Sequence, residues 1–293
     1  MKIYNPIDVF YKLKPIKYEQ LSVPEQQVLF GKMIAEGTPF FAGRLGLTET
    51  RVLRAMEFGY KSDYEDVCGQ LCRWSGFFPN DISLLPEYRQ IVLNALGEVD
   101  FLLRLRGTGE NYLVKKYCKK DVIFSGPLGG WGVDEPWTKA LLGHKVLVIH
   151  PFAQTIESQY KKRELLFPSN PDILPEFELQ TLKAVQTLAD QEDERFSNWF
   201  EAFEWMKEEI AARDFDIALL GCGAYGFPLG AYIKSLGKTA VHIGGDLQML
   251  FGILGQRWES YPITQRLYND SWVRASESER PKGADMVEGA CYW

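Results

Sequence analysis

Residues 216–246 read DIALLGCGAYGFPLGAYIKSLGKTAVHIGGD, and this stretch decides the fold class. The apolar run 217–220 leads into Gly221-Cys222-Gly223-Ala224-Tyr225-Gly226, a complete G-x-G-x-x-G. A helix-compatible segment follows over 228–236 and stops at Gly237. A second apolar run, 239–243, ends in Gly244-Gly245-Asp246. Strand, glycine turn, helix and strand within roughly thirty residues make a βαβ unit, here spanning 214–246. The glycines permit a tight turn and a close ligand, and the N–H groups at the helix start face a phosphate. Gly221, Gly223, Tyr225 and Gly226 are therefore candidate diphosphate-binding residues, with Gly244 and Gly245 leaving room beside them. The competing reading is a turn in which glycine serves close contact within the protein alone.

Two further segments belong to the same sheet. Residues 145–149 form a continuous apolar run, suited to a strand covered on both faces, and it ends at His150. That histidine falls on the rim of the glycine turn, where it can hydrogen-bond a phosphate or act as a base; a purely structural histidine is the alternative. Thr155 reads as the cap of a helix running through Lys162. Earlier in the chain, 38–43 reads as a strand entering the sheet, followed by Arg44-Leu45-Gly46-Leu47-Thr48-Glu49. Thr48 reads as the cap of a helix over 49–58. Arg44 and Glu49 thus stand at the edge where open α/β sheets bind ligands, unless their charges only pair to fix the turn.

Elsewhere the pattern is mainly helical. An amphipathic pattern covers 1–36, with Pro24 in the first turn of a helix, and 63–120 reads as a helical insertion that includes a helix over 91–105. A weak strand signal falls at 122–124. The glycine-rich 126–132 is a loop, whose Trp131 is either a buried anchor or a platform for a sugar or base. Residues 179–188 suit a strand or a helix equally, 193–212 is amphipathic and helical, 247–254 reads as helix, and 256–293 is an aromatic tail folded back on the body. The expected architecture is a single α/β domain over 1–293: a mostly parallel, open, Rossmann-like sheet flanked by helices, with a helical N-terminal portion.

A chain of 293 residues that is 46% hydrophobic can bury a sizeable core, and a net charge of -6 argues against a nucleic-acid partner. No apolar run reaches signal-peptide or membrane-spanning length, so a cytoplasmic location is expected. Five cysteines, with no second pair beside Cys68 and Cys72, read as reduced thiols. Three ligand classes use such a glycine turn: dinucleotides, S-adenosylmethionine and nucleotide sugars. Asp246 nominally suits the ribose of a dinucleotide. Fewer than fifty residues follow it, however, too few for the further strand–helix units that a dehydrogenase or methyltransferase normally adds.

Together, the early R-x-G-x-x-E at 44–49, the central strand and the late glycine-turn unit resemble bacterial glycosyltransferases of the GT-D fold, found with capsule and surface-glycan genes. The ending NDSWVRASESERPKGADMVEGACYW looks like that of bacterial proteins from such gene neighbourhoods. The resemblance spans about residue 38 onward. It implies transfer of a sugar from a nucleoside diphosphate donor to a glycan acceptor, with Mg²⁺ or Mn²⁺ on the diphosphate. Arg44, Gly46 and Glu49 match the family's R-F-G-D-G-E pattern, which makes Glu49 the catalytic carboxylate or a remnant metal ligand; a positive group such as Arg44 or Lys162 can replace the ion in stabilising the leaving diphosphate. Leu47 stands where the family has Asp, and leucine offers a metal no oxygen. Alternatives are a catalytically silent nucleotide-binding or scaffold protein of a glycan-assembly complex, and an NAD- or S-adenosylmethionine-dependent enzyme. A homo-oligomer is compatible with the sequence.

Overall fold

The computed structural model describes residues 19–293 apart from 120 and 288; the amphipathic pattern before residue 19 lies outside the described residues. Helix α1 (Val23–Ala35) starts at a capping box: the Ser22 hydroxyl accepts the Glu25 N–H, the Glu25 carboxylate accepts the Ser22 N–H, and Pro24 sits in the first turn. Next come β1 (Phe41–Arg44), α2 (Leu47–Glu57), α3 (Tyr64–Ser75), α4 (Leu85–Glu98), β2 (Phe101–Leu103), α5 (Glu110–Tyr117) and β3 (Ile123–Ser125). After the 126–132 loop the chain forms β4 (Lys145–His150), α6 (Ala153–Tyr160), β5 (Glu178–Lys183), α7 (Trp199–Ala211), β6 (Ile217–Leu220), α8 (Gly226–Ser235) and β7 (Thr239–His242). A short helix α9 (Leu247–Leu250) precedes β8 (Ile253–Leu254) and β9 (Val273–Arg274), which pair with each other.

Seven strands form one parallel sheet in the order β3-β2-β1-β7-β6-β4-β5, the α/β architecture expected from the glycine-turn unit. Alternation along each strand divides the core in two. Leu147, Ile149, Ala218 and Leu220 face α2 to α5, α7 and α8. Val146, Val148, Ile217 and Leu219 face α1, α6 and the tail, which contributes Trp258, Trp272 and Trp293. Continuous apolar runs at β4 and β6 are thus the signature of strands covered on both sides. All five cysteines are free.

Several local expectations are corrected. The helix expected over 91–105 ends at Glu98, and Phe101–Leu103 is a sheet strand, so the supposed helical insertion contributes β2 to the sheet. A three-residue apolar strand has no room to show a period of two, so it merged with the helix before it. Gly46, not Thr48, is the N-cap of α2. Likewise Phe152, not Thr155, precedes α6, and Thr155 instead donates its hydroxyl to the buried Glu279 carboxylate. Of residues 179–188, the part up to Lys183 belongs to strand β5 and 184–188 is irregular, while 247–254 divides into α9 and β8.

Register places the site. Ile149 lies opposite Leu220, Leu220 opposite His242, and Ala42 opposite Val241. Carrying these pairs one or two residues onward sets His150, Gly221, Ile243 and Arg44 in one row at the carboxyl edge. The row crosses three inter-strand gaps of about 4.8 Å each, so it is roughly 14 Å wide. β4 continues outward to β5 while β6 returns inward to β7, which makes this edge a topological switch point.

Candidate functional site

A cavity of about 530 Å³ opens over that row. Its floor is strand-end backbone and side chains: Arg44, His150, Gly221, His242 and Gly244. One wall is the start of α2, with Gly46, Leu47, Thr48, Glu49 and Arg51, faced by Trp74 and Ser75 of α3. The opposite wall comes from Asp246, Gln248, Arg257, Tyr261, Tyr292 and Trp293. The volume is that of a small-molecule site.

Glu49 is buried in the first turn of α2, where the helix N-terminus favours a carboxylate. Its side chain folds back on Gly46, where any Cβ would overlap Oε2. Oε2 accepts the Thr48 hydroxyl at 2.8 Å, and the Thr48 and Ser75 hydroxyl oxygens lie 2.5 Å apart. Thr48 has one proton and gives it to Glu49, so Ser75 donates to Thr48. The result is a hydroxyl chain, Ser75 to Thr48 to Glu49, each member lining the cavity.

Arg44 reaches across the turn after β7. Its guanidinium lies against Gly244, whose φ of +77° and lack of Cβ make that approach possible. Nη1 stands 3.6 Å from Asp246 Oδ2, and Asp246 Oδ1 accepts the Trp258 indole N–H at 3.0 Å. Asp246 therefore balances a guanidinium on the cavity floor. Arg51 and Arg257 add positive charge on opposite walls.

Both histidines of the cavity floor are neutral. Burial pushes the His150 imidazole down to about 3, and its Nδ1 accepts the Phe152 N–H at 3.0 Å, which leaves the proton on Nε2. His150 thus presents a hydrogen-bond donor rather than a base. Burial and, after it, the Arg44 charge hold His242 at about 3 as well. Three buried polar atoms of residues lining the cavity have no partner among the described residues: Gln248 Oε1, His242 Nδ1 and Trp293 Nε1. Each is a group that a ligand or water can satisfy.

The structure gathers Arg44, Glu49, His150, Gly221, Gly223, Gly244 and Gly245 around this one cavity. Tyr225 and Gly226 are not among its lining residues. Tyr225 is buried and stacks on Trp199 with ring centroids 4.9 Å apart, and Gly226 lies under the His242 ring. Leu47 stands at the rim, 47% exposed. A divalent cation needs several hard oxygen ligands. Leu47 brings no second carboxylate beside Glu49, whose polar neighbours are the Thr48 and Ser75 hydroxyls, Asp246 is engaged by Arg44 and Trp258, and no cluster of three His, Cys, Asp or Glu able to hold a metal occurs among the described residues. This donor set does not fit Mg²⁺ or Mn²⁺.

Sequence reading missed Ser75, Trp74, Arg51, Gln248 and Arg257. None lies in a glycine motif or at a strand end, so only the tertiary fold brings them to the cavity. The aromatic ending was legible as a segment that folds back, and Tyr292 and Trp293 line the cavity.

The molecule is thus an α/β protein with an open parallel sheet and a charged cavity at the sheet's carboxyl edge. Among solved structures it is similar to one described as the highly conserved domain of unknown function 1792 with a distinct glycosyltransferase fold: identity is 10%, TM-score 0.42, and the match covers 93% of this chain and 95% of that one. A selenomethionine-substituted structure of domain of unknown function 1792 is similar at 10% identity and a TM-score of 0.37, over 86% of this chain and 96% of that one. No family model matches the chain, and no curated protein matches it. No helix among the described residues is long and apolar enough to cross a membrane.

Proposed function

We propose that the protein is a glycosyltransferase that takes a sugar from a nucleoside diphosphate donor and passes it to a glycan acceptor, in bacterial surface-glycan synthesis on the cytoplasmic side. The observation that carries this reading is the convergence of Arg44, Glu49 and the turns at 221–223 and 244–245 on one cavity. The Gly221 N–H is taken by the Ile149 carbonyl, so the backbone N–H groups at 222–223 and 244–245, with the guanidinium of Arg44, are the ones that suit a diphosphate. Glu49 suits the base that takes the acceptor hydroxyl proton as that oxygen attacks the anomeric carbon. The bond from that carbon to the diphosphate oxygen breaks, its electron pair stays on the diphosphate, and Arg44 stabilises the charge in place of a metal. His150, as a neutral Nε2–H donor, suits a phosphate oxygen.

Calorimetric titration with UDP, GDP, NAD and S-adenosylmethionine tests the reading, with EDTA present in a parallel series. One nucleoside diphosphate is expected to bind equally well in both series. Binding of NAD or S-adenosylmethionine with neither nucleoside diphosphate overturns the proposal. A second reading, a silent nucleotide-binding partner in a glycan-assembly complex, is favoured by Leu47 at the rim. Turnover with mixed nucleotide sugars separates the two: activity that drops about 10²- to 10⁴-fold in Glu49→Gln rules out the silent reading.

A further inference from the structure

A second cavity, of about 100 Å³, adjoins the first, and Asp246 and Tyr261 line both. It is too small for a nucleotide and is walled by three aromatic rings, Trp131, Trp258 and Tyr261. Into this apolar setting falls one polar anomaly. Thr264 is 2% exposed, lines the cavity, and its hydroxyl has no partner. A buried hydroxyl without a partner is unfavourable unless a ligand or water completes it.

The charges sort what fits. The main cavity carries Arg44, Arg51 and Arg257 and so favours an anion, whereas no Lys or Arg among the described residues lines the small one, and the shared Asp246 carboxylate, though paired with Arg44 and Trp258, keeps lone pairs that accept further hydrogen bonds. Aromatic faces are electron-rich and meet the C–H face of a sugar ring well. We propose that the small cavity is a subsite for a single pyranose ring, held on the faces of Trp131 and Tyr261 with its hydroxyls on Asp246 and Thr264. This deepens the glycosyltransferase reading and rests on it for the place of the reaction, but not for the binding itself. The ring is neutral and rich in hydroxyls whether it belongs to the donor or to the acceptor.

Thr264→Val removes the hydroxyl and keeps the shape; because that hydroxyl has no protein partner, the variant is expected to melt no lower than the parent protein. Trp131→Leu is an independent second variant at a partly buried ring that lines the small cavity but not the main one. Calorimetry compares UDP with UDP-glucose, and saturation-transfer NMR follows methyl glycosides of glucose, galactose and N-acetylglucosamine with UDP present and absent. A loss of about tenfold for UDP-glucose with UDP itself unchanged places the donor's sugar in the subsite. A matching loss for a methyl glycoside, bound beside UDP, places the acceptor's there. The proposal is overturned if both variants leave every sugar contact unchanged, if no sugar binds in either arm, or if UDP and UDP-glucose weaken equally. Failure of UDP to bind while a methyl glycoside still does so would instead count against the diphosphate reading of the main cavity.

Discussion

At the bend after β6 glycine makes room for the protein's own backbone and a buried ring, whereas at Gly244, in the turn after β7, it makes room for the flexible end of a side chain. A Cβ at Gly223 would overlap the carbonyl oxygen of Ser75, at the last residue of α3, and one at Gly221 would come within 2.7 Å of both the Gly244 carbonyl and the His150 ring. At Gly244 the overlap is with the end of Arg44, and at Gly245 with the Tyr292 ring. The first bend is fixed by neighbours that no ligand displaces. The second is covered at Gly244 by the end of Arg44, which a diphosphate can draw aside, and at Gly245 by a Tyr292 ring packed against Trp258 and Trp293, so adjustment on binding belongs at 244, and the bend at 221–223 supplies a rigid floor.

The largest effect expected from this contrast follows Gly223→Ala. Its φ of +57° is strained for any side chain, and the new methyl must move the bend away from a helix terminus. Left-handed strain and overpacking together give a loss of about 3 kcal/mol in urea unfolding. A loss below about 1 kcal/mol would mean the bend is as pliable as its partner turn, and the contrast would fail.

Two neutral histidines lie at the cavity floor, His150 against Gly221 and His242 against Gly226, and this makes the floor sensitive to acid. An unfolded histidine titrates near 6.5, whereas these two titrate at about 3 when folded. Between those values the unfolded chain binds more protons. Stability from each ring is therefore complete above pH 6.5 and is lost as pH falls toward 3. At 1.36 kcal/mol per unit, each histidine should remove about 2 kcal/mol between pH 7 and pH 5. Urea midpoints across that range measure it, and a flat profile would show that the rings are hydrated and the floor open to water.

The strands that form the centre of the sheet were legible because burial on both faces demands unbroken apolar runs, as at 145–149 and 217–220. β2 was not, since three residues give no period and α4 runs almost directly into it. The candidate site was legible where chemistry coincides with a strand end: Arg44, Glu49, His150 and the glycines. Tyr225 shows the limit of the motif. Its position in G-x-G-x-x-G suggests a ligand contact, yet stacking on Trp199, some twenty-five residues earlier in the chain, draws it into the core. Nor does any local pattern show that Ser75 ends a helix beside Glu49, or that Thr264 lies unpartnered in a pocket shared with residue 131.

The smallest expected change in stability is also the one that separates fold from function most cleanly. Gly244→Ala keeps a φ of +77°, which costs about 1 kcal/mol with a Cβ present, but the atoms in its way are the flexible end of Arg44. The guanidinium must leave its place over the turn, and with it goes the 3.6 Å approach to Asp246, a partly exposed pair worth less than about 1 kcal/mol. Thermal melts should therefore show a modest drop, well short of that for Gly223→Ala. Nucleoside diphosphate affinity should fall about tenfold, because a charge-assisted contact is lost where the diphosphate is held. Calorimetry and melting on the same preparation read both quantities. If Gly244→Ala unfolds the protein as readily as Gly223→Ala does, the second turn is as rigid as the first, and Arg44 cannot be the group that yields to a ligand.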